Sequence, residues 1–158
     1  MILYHGTNVD FNDIDVSKSS ANKDFGKGFY LTDIRQQAEA MAKKKSSIFG
    51  GEPIVQSYYF NEKALHSGGL KVLEFERPTK EWAEFIYKNR YRGDTPFVHD
   101  YDIVIGPIAD DGVAYLLNRY DEGTLSLEDL AKGLEYKKLN SQYFFRTYKA
   151  INLLKRIT

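Results

Sequence analysis

The side chains of this sequence with chemistry to offer are a few histidines, tyrosines, amides and carboxylates, because it contains no cysteine and so has neither a thiol nucleophile nor a disulfide. His5 closes the apolar run Ile2-Leu3-Tyr4 and is followed by Gly6 and Thr7. An imidazole at a strand end can move a proton or bind a hydroxyl, and it can equally be a structural or surface histidine. Tyr30 lies in Phe29-Tyr30-Leu31; its ring offers a flat electron-rich face, while a half-buried sheet residue with a tied hydroxyl explains the same position. Gln142 opens Gln142-Tyr143-Phe144-Phe145. Its amide has an acceptor and donors but no charge, and a polar edge position is the plain alternative. Asp110 and Asp111 follow Gly106-Pro107-Ile108-Ala109, a pair that suits a cation and suits the first turn of a helix at least as well. Gly26-Lys27-Gly28 suggests a phosphate cradle, but its spacing is neither that of a P-loop nor that of a Rossmann turn. His66 beside Gly68-Gly69 and His99 beside Asp100 read as solvated. Arg77-Pro78 and Arg90-Tyr91-Arg92 read as solvated helix ends or as a basic, aromatic surface for a phosphate-bearing partner.

The elements that must position these residues alternate between strands and helices. The start of the chain predicts a buried strand ending in a turn at Gly6, and residues 10–24 are polar and broken, as in a surface loop. A second short strand covers residues 29–31. Asp33 is placed to cap a helix that ends before Gly50-Gly51, with Lys43, Lys44 and Lys45 in the last turn, where the macrodipole favours cations. Residues 54–60 and 70–75 are rich in β-branched and aromatic side chains and predict two strands. Trp82, Phe85 and Ile86 fall at helical spacing within 79–89. The β-branched run of residues 102–108 is the clearest strand, expected in the middle of a sheet and stopped by Gly106-Pro107. Helices follow over 113–120 and from the capping sequence Ser126-Leu127-Glu128-Asp129 to near Gly133. A strand at 142–145 and a helix over 148–154 complete the chain.

Bulk properties narrow the function classes. The 158 residues, 42% of them hydrophobic, suffice for one core and read as a single domain over 1–158. Balanced charge, 22 Lys+Arg against 22 Asp+Glu, gives no net field for a generic nucleic-acid or anionic-membrane binder. Three scattered histidines and no cysteine leave no zinc-ligand cluster, so no metal is expected. The first residues lack a secretory signal pattern and no run approaches the roughly 18 apolar residues of a membrane span. A cytoplasmic protein is the expectation, with export by a specialised secretion route left open.

Three segments occur in a telling order: Leu3-Tyr4-His5-Gly6-Thr7, then Phe25-Gly26-Lys27-Gly28-Phe29-Tyr30-Leu31-Thr32, then Gln142-Tyr143-Phe144-Phe145-Arg146-Thr147. Together they resemble the ADP-ribosyltransferase superfamily of the His-Tyr-Glu class, the branch that includes diphtheria toxin and the poly(ADP-ribose) polymerases. With the stretch from Tyr101 to Asp111 and the tail after Thr147, nearly the whole chain resembles a bacterial family of uncharacterised domains, DUF3990. The resemblance implies an α+β fold with split or mixed, mainly antiparallel sheets around an NAD⁺ cleft and peripheral helices. It implies NAD⁺ as co-substrate, with His5 on a ribose hydroxyl, the Gly6 backbone on the nicotinamide carboxamide, Thr7 adding a ribose contact and Tyr30 stacking on nicotinamide. It places Gln142 where relatives carry a catalytic glutamate, and Asn140 two residues before it. An amide contributes only a dipole to an oxocarbenium-like centre and cannot act as a base, so Asp110 or Asp111 is the candidate for the missing carboxylate. The activity implied is mono-ADP-ribosyl transfer to a macromolecule with nicotinamide release, as in a toxin, effector or intracellular regulator; a silent NAD⁺-binding module and an NAD⁺ glycohydrolase are the alternatives. A protein acceptor is expected rather than a nucleic acid, without a membrane partner, and the sequence names no immunity or regulatory partner.

Overall fold

Alternation along each strand sorts the apolar side chains of this chain onto two faces of one sheet. The structure, a computed structural model, describes residues 1–91, 93, 97–109, 111–135 and 141–158. Its strands are β1 (Ile2–Thr7), β2 (Phe29–Thr32), β3 (Ile54–Tyr59), β4 (Val72–Glu74), β5 (Ile103–Pro107), β6 (Ser141–Phe145) and β7 (Lys155–Arg156). They form a seven-stranded sheet in the order β4-β5-β6-β2-β1-β3-β7. The β4–β5 pair is parallel and the others are antiparallel. The helices are α1 (Arg35–Phe49), α2 (Lys80–Arg90), α3 (Asp111–Asp121), α4 (Leu127–Glu135) and the single turn α5 (Tyr148–Ile151). The protein is therefore mixed α+β, as expected, and its mainly antiparallel strands form one open sheet where split or mixed sheets were expected.

Leu3, Phe29, Leu31, Ile103, Ile105 and Phe145 point to the first face, where Ala150 and Ile151 of α5 cover them. Val104 and Phe144 point to the second, against Trp82, Ala83 and Ile86 of α2, Leu117 of α3 and Leu130 of α4. Tyr30, between Phe29 and Leu31, packs on this second cluster. α1 joins the same side, its buried Ala38 and Ala42 lying over β1. At Gly6 an added Cβ would stand 2.1 Å from the Ala38 carbonyl oxygen and 2.9 Å from the Ala42 nitrogen. What glycine permits here is close approach of a helix.

The Ser126 cap read from the sequence holds, its hydroxyl accepting from the Asp129 N–H at the start of α4; in the structure Thr79, the first residue of the predicted 79–89 helix, also caps α2 through the Trp82 N–H. Asp33 is not the cap of α1: the N-cap residue is Ile34, and its N–H donates to the Thr32 hydroxyl, which is already fixed at the end of β2. The last helix is shorter than expected and ends at Ile151, after which β7 pairs with β3 through Tyr58↔Arg156 and Tyr59↔Lys155. Among the described residues no helix is long and apolar enough to cross a membrane.

Candidate functional site at the seam of β1 and β2

The strands that carry His5, Tyr30 and Gln142 are neighbours, in the order β6-β2-β1. Thr32 stands opposite Gln142 and Tyr30 opposite Phe144 across β2–β6, and Gly106 stands opposite Gln142 across β5–β6. Gln142 is thus an interior residue of the sheet, not an edge. The joint between β1 and β2 is different in kind. β1 pairs with β3 over its full length, from Ile2↔Tyr59 to Thr7↔Ile54, whereas its paired register with β2 is Tyr4↔Thr32 alone. Beyond that register, side chains take over the role of the ladder. His5 Nδ1 donates to the Tyr30 carbonyl at 2.7 Å, and Lys45 Nζ, from α1, donates to the Gly6 carbonyl at 2.9 Å.

The first of these bonds fixes the state of His5. A carbonyl only accepts, so Nδ1 carries the proton and Nε2 presents its lone pair. The ring stands on the first face of the sheet, 4.3 Å from the Phe29 ring and 5.8 Å from Phe11, centroid to centroid. Burial, aided by the charges of Lys45 and Lys23, pushes its pKa down to about 3, so the imidazole is neutral near pH 7. Among the described residues Nε2 has no hydrogen-bond partner.

Tyr30 projects to the opposite face. Its hydroxyl donates to the Gly26 carbonyl at 2.5 Å and accepts from the Phe25 N–H at 3.1 Å, and its ring leans on Phe144 at 4.9 Å. Burial raises the phenol pKa well above its usual value, so it stays protonated. Lys23 Nζ lies 5.3 Å from the ring centroid, within cation–π range. Lys45 is pushed down to about 8, chiefly by burial and then by the charge of Lys23. Among the described residues neither lysine has a salt-bridge partner.

The loop before β2 is built for rigidity. Gly26 adopts φ 96°, which favours glycine, and its N–H closes a turn on the Lys23 carbonyl at 3.1 Å. Phe25 is fully buried, and its carbonyl accepts from His99 Nε2 at 2.7 Å while His99 Nδ1 accepts from the Tyr101 N–H at 3.2 Å. His99 is therefore buried and locked in one tautomer, not solvated as its acidic neighbour suggested; burial also lowers its pKa. The turn directs Asp24 inward. One oxygen, Oδ1, accepts from Nε of Arg90 at 2.7 Å and from a terminal guanidinium nitrogen. The other, Oδ2, accepts from Gln142 Nε2 at 3.1 Å. Gln142 Nε2 also lies 3.4 Å from the Pro107 carbonyl, which Trp82 Nε1 shares at 3.1 Å. With its nitrogen held by two acceptors, the Gln142 amide has one orientation, and Oε1 has no partner among the described residues.

The structure brings Tyr30 and Gln142 together on one face, and ties His5 to them through the Tyr30 backbone. Thr7 is spent locally, its hydroxyl donating to the Val9 carbonyl at 3.1 Å and accepting the Val9 N–H at 3.2 Å. Asp111 opens α3, as a helix-start reading expects, while Asp110 and Asn140 lie outside the described residues. Arg90 belongs to Asp24 rather than to a basic surface, and Arg92 lies outside the described residues. The carboxylate that sequence reading missed is Asp24. Its partner is 118 residues away, and no local pattern signals the pairing.

The family described as "Protein of unknown function (DUF3990)" matches residues 1–156. The chain belongs to the DUF3990 family. No curated protein and no solved structure matches it. In this DUF3990 chain the matched span takes in all the strands of the seam, from β1 to β6, and the loop that carries Asp24.

Proposed function

We propose that the chain is a mono-ADP-ribosyltransferase that cleaves NAD⁺ at the nicotinamide–ribose bond and transfers ADP-ribose to a protein acceptor. The observation that carries this reading is that His5, Tyr30 and Gln142 stand on adjacent strands at a seam where backbone pairing stops, Tyr30 and Gln142 on one face and His5 tied to them through the Tyr30 carbonyl. Each group there offers the chemistry the substrate asks for. His5, neutral with Nε2 as acceptor, suits a ribose hydroxyl that donates. The Gly6 carbonyl takes an N–H donor from Lys45, and a carboxamide N–H is a donor of the same kind. The Tyr30 ring already attracts the Lys23 cation, and the nicotinamide ring of NAD⁺ is a flat cation. Gln142 Oε1 supplies a fixed dipole for the oxocarbenium-like charge that develops as nicotinamide leaves.

A silent NAD⁺-binding module is favoured by one specific feature: the third motif residue is an uncharged amide. Incubating the protein with NAD⁺ and following nicotinamide by chromatography decides between them, with His5→Ala and Gln142→Ala in parallel and a cell lysate supplied as acceptor. Release by wild type that falls in both variants is expected. NAD⁺ binding by calorimetry without release identifies the silent module. Release without a labelled protein product identifies a glycohydrolase, in which water is the acceptor.

A further inference from the structure

This inference rests on the reading above, in which residue 142, set where relatives carry a glutamate, is an uncharged amide. Breaking the bond between the ribose anomeric carbon and nicotinamide sends the bonding pair out with nicotinamide and leaves positive charge on the ribose. The acceptor then bonds to that carbon and loses its proton to solvent. A neutral amide stabilises such a centre weakly, and a carboxylate stabilises it strongly. The described structure holds a carboxylate against that amide. Asp24 is 12% exposed, and its two oxygens are divided between two partners, Oδ1 to Arg90 and Oδ2 to Gln142 Nε2 at 3.1 Å.

We propose that Asp24 is the positioning residue of this site, and that it turns Gln142 into a charged-acceptor surrogate by holding its amide nitrogen. Two effects follow from the geometry. The contact fixes the orientation of the amide, since Nε2 is committed to Asp24 and Pro107 while Oε1 has no partner among the described residues. It also polarises the amide, because a charged acceptor on the N–H draws electron density toward Oε1. Arg90 keeps the carboxylate in place without competing for Oδ2. The loop that carries Asp24 is fastened to Tyr30 and His99 on both sides of Phe25, so the carboxylate moves with the same frame that holds the Tyr30 ring.

A plain structural ion pair would account for the Asp24–Arg90 contact, and the test separates the two. Steady-state nicotinamide release is measured for wild type, Asp24→Asn and the double variant Asp24→Asn/Gln142→Glu, with the unfolding midpoint of each. Asn keeps the size of residue 24 while removing its charge, and its single oxygen can accept from Gln142 Nε2 or from Arg90 but not from both. The expected result is a fall in kcat of roughly tenfold to a hundredfold in Asp24→Asn, with the KM for NAD⁺ unchanged. The double variant, which moves the carboxylate onto residue 142, is expected to recover wild-type kcat. Undiminished release in Asp24→Asn overturns the proposal. So does a loss that the double variant fails to restore, because charge would then not be what Asp24 contributes. No release by wild type, with or without lysate, overturns the transferase reading itself and this role with it.

Discussion

His5 illustrates how a residue's surroundings choose among its possible chemistries. An exposed histidine titrates near pH 6.5, but this one is packed against Phe29 and Phe11 and carries its proton on Nδ1 toward the Tyr30 carbonyl. Its folded pKa, about 3, lies below the unfolded value of 6.5, so the unfolded chain binds the extra proton between those limits. Stability from this group is thus fully present above pH 6.5 and is lost as pH falls toward 3, by about 1.4 kcal/mol per pH unit within the window. Denaturant titrations at pH 7.5 and pH 5.0 should show wild type losing about 2 kcal/mol more than His5→Asn; equal losses would mean that His5 is not held neutral by burial. The residue types of the candidate site were legible in the sequence, because His5-Gly6-Thr7, Tyr30 and Gln142 stand in recognisable local contexts. Their partners were not. Asp24 and Gln142 meet only through the register of β2 with β6 and the turn at Gly26, and His99 is buried by packing that its own neighbours do not encode.

Between residues and the whole molecule, the decisive element is α1, which lies against β1 and delivers Lys45 to the Gly6 carbonyl. Its approach is possible because residue 6 has no side chain. In Gly6→Ala the new methyl would meet the Ala38 carbonyl oxygen at 2.1 Å, and a helix backbone cannot give way as a flexible side-chain end can. The expected cost is about 3 kcal/mol or more, seen as a lowered denaturant midpoint; a substitution tolerated without loss would show that α1 can slide. Elements with strong local signals were readable from sequence: the β-branched run of β5, the helical spacing of Trp82, Phe85 and Ile86 in α2 and the Ser126 cap each follow from neighbouring residues. The strand β7 was not, since two exposed residues, Lys155 and Arg156, pair with β3 only because α5 ends and returns the chain there. The same holds for the start of α1, where Ile34 rather than Asp33 is the N-cap residue, without a side-chain cap, and its N–H donates to the Thr32 hydroxyl at the end of β2.

The sheet as a whole acts as a partition, and the consecutive residues Phe144 and Phe145 lie on its two sides. Both are fully buried. Phe144 faces the second cluster, where it backs the Tyr30 ring at 4.9 Å and contacts His99 at 5.8 Å. Phe145 faces the first cluster and packs on Phe60 at 5.3 Å. Exchanging either for leucine removes comparable apolar volume, so each variant should lose stability by similar amounts, about 1–2 kcal/mol by denaturant unfolding. Ligand binding should separate them. If Tyr30 presents its ring to nicotinamide, Phe144→Leu removes the surface that holds that ring and weakens NAD⁺ binding, whereas Phe145→Leu leaves the Tyr30 and Gln142 side chains with their present neighbours. Calorimetric titration of NAD⁺ into both variants should therefore show a weaker Kd for Phe144→Leu than for Phe145→Leu at matched stability. Equal affinities would place the ligand away from the second face, because a pocket built on Tyr30 and Gln142 cannot be indifferent to the ring beneath them.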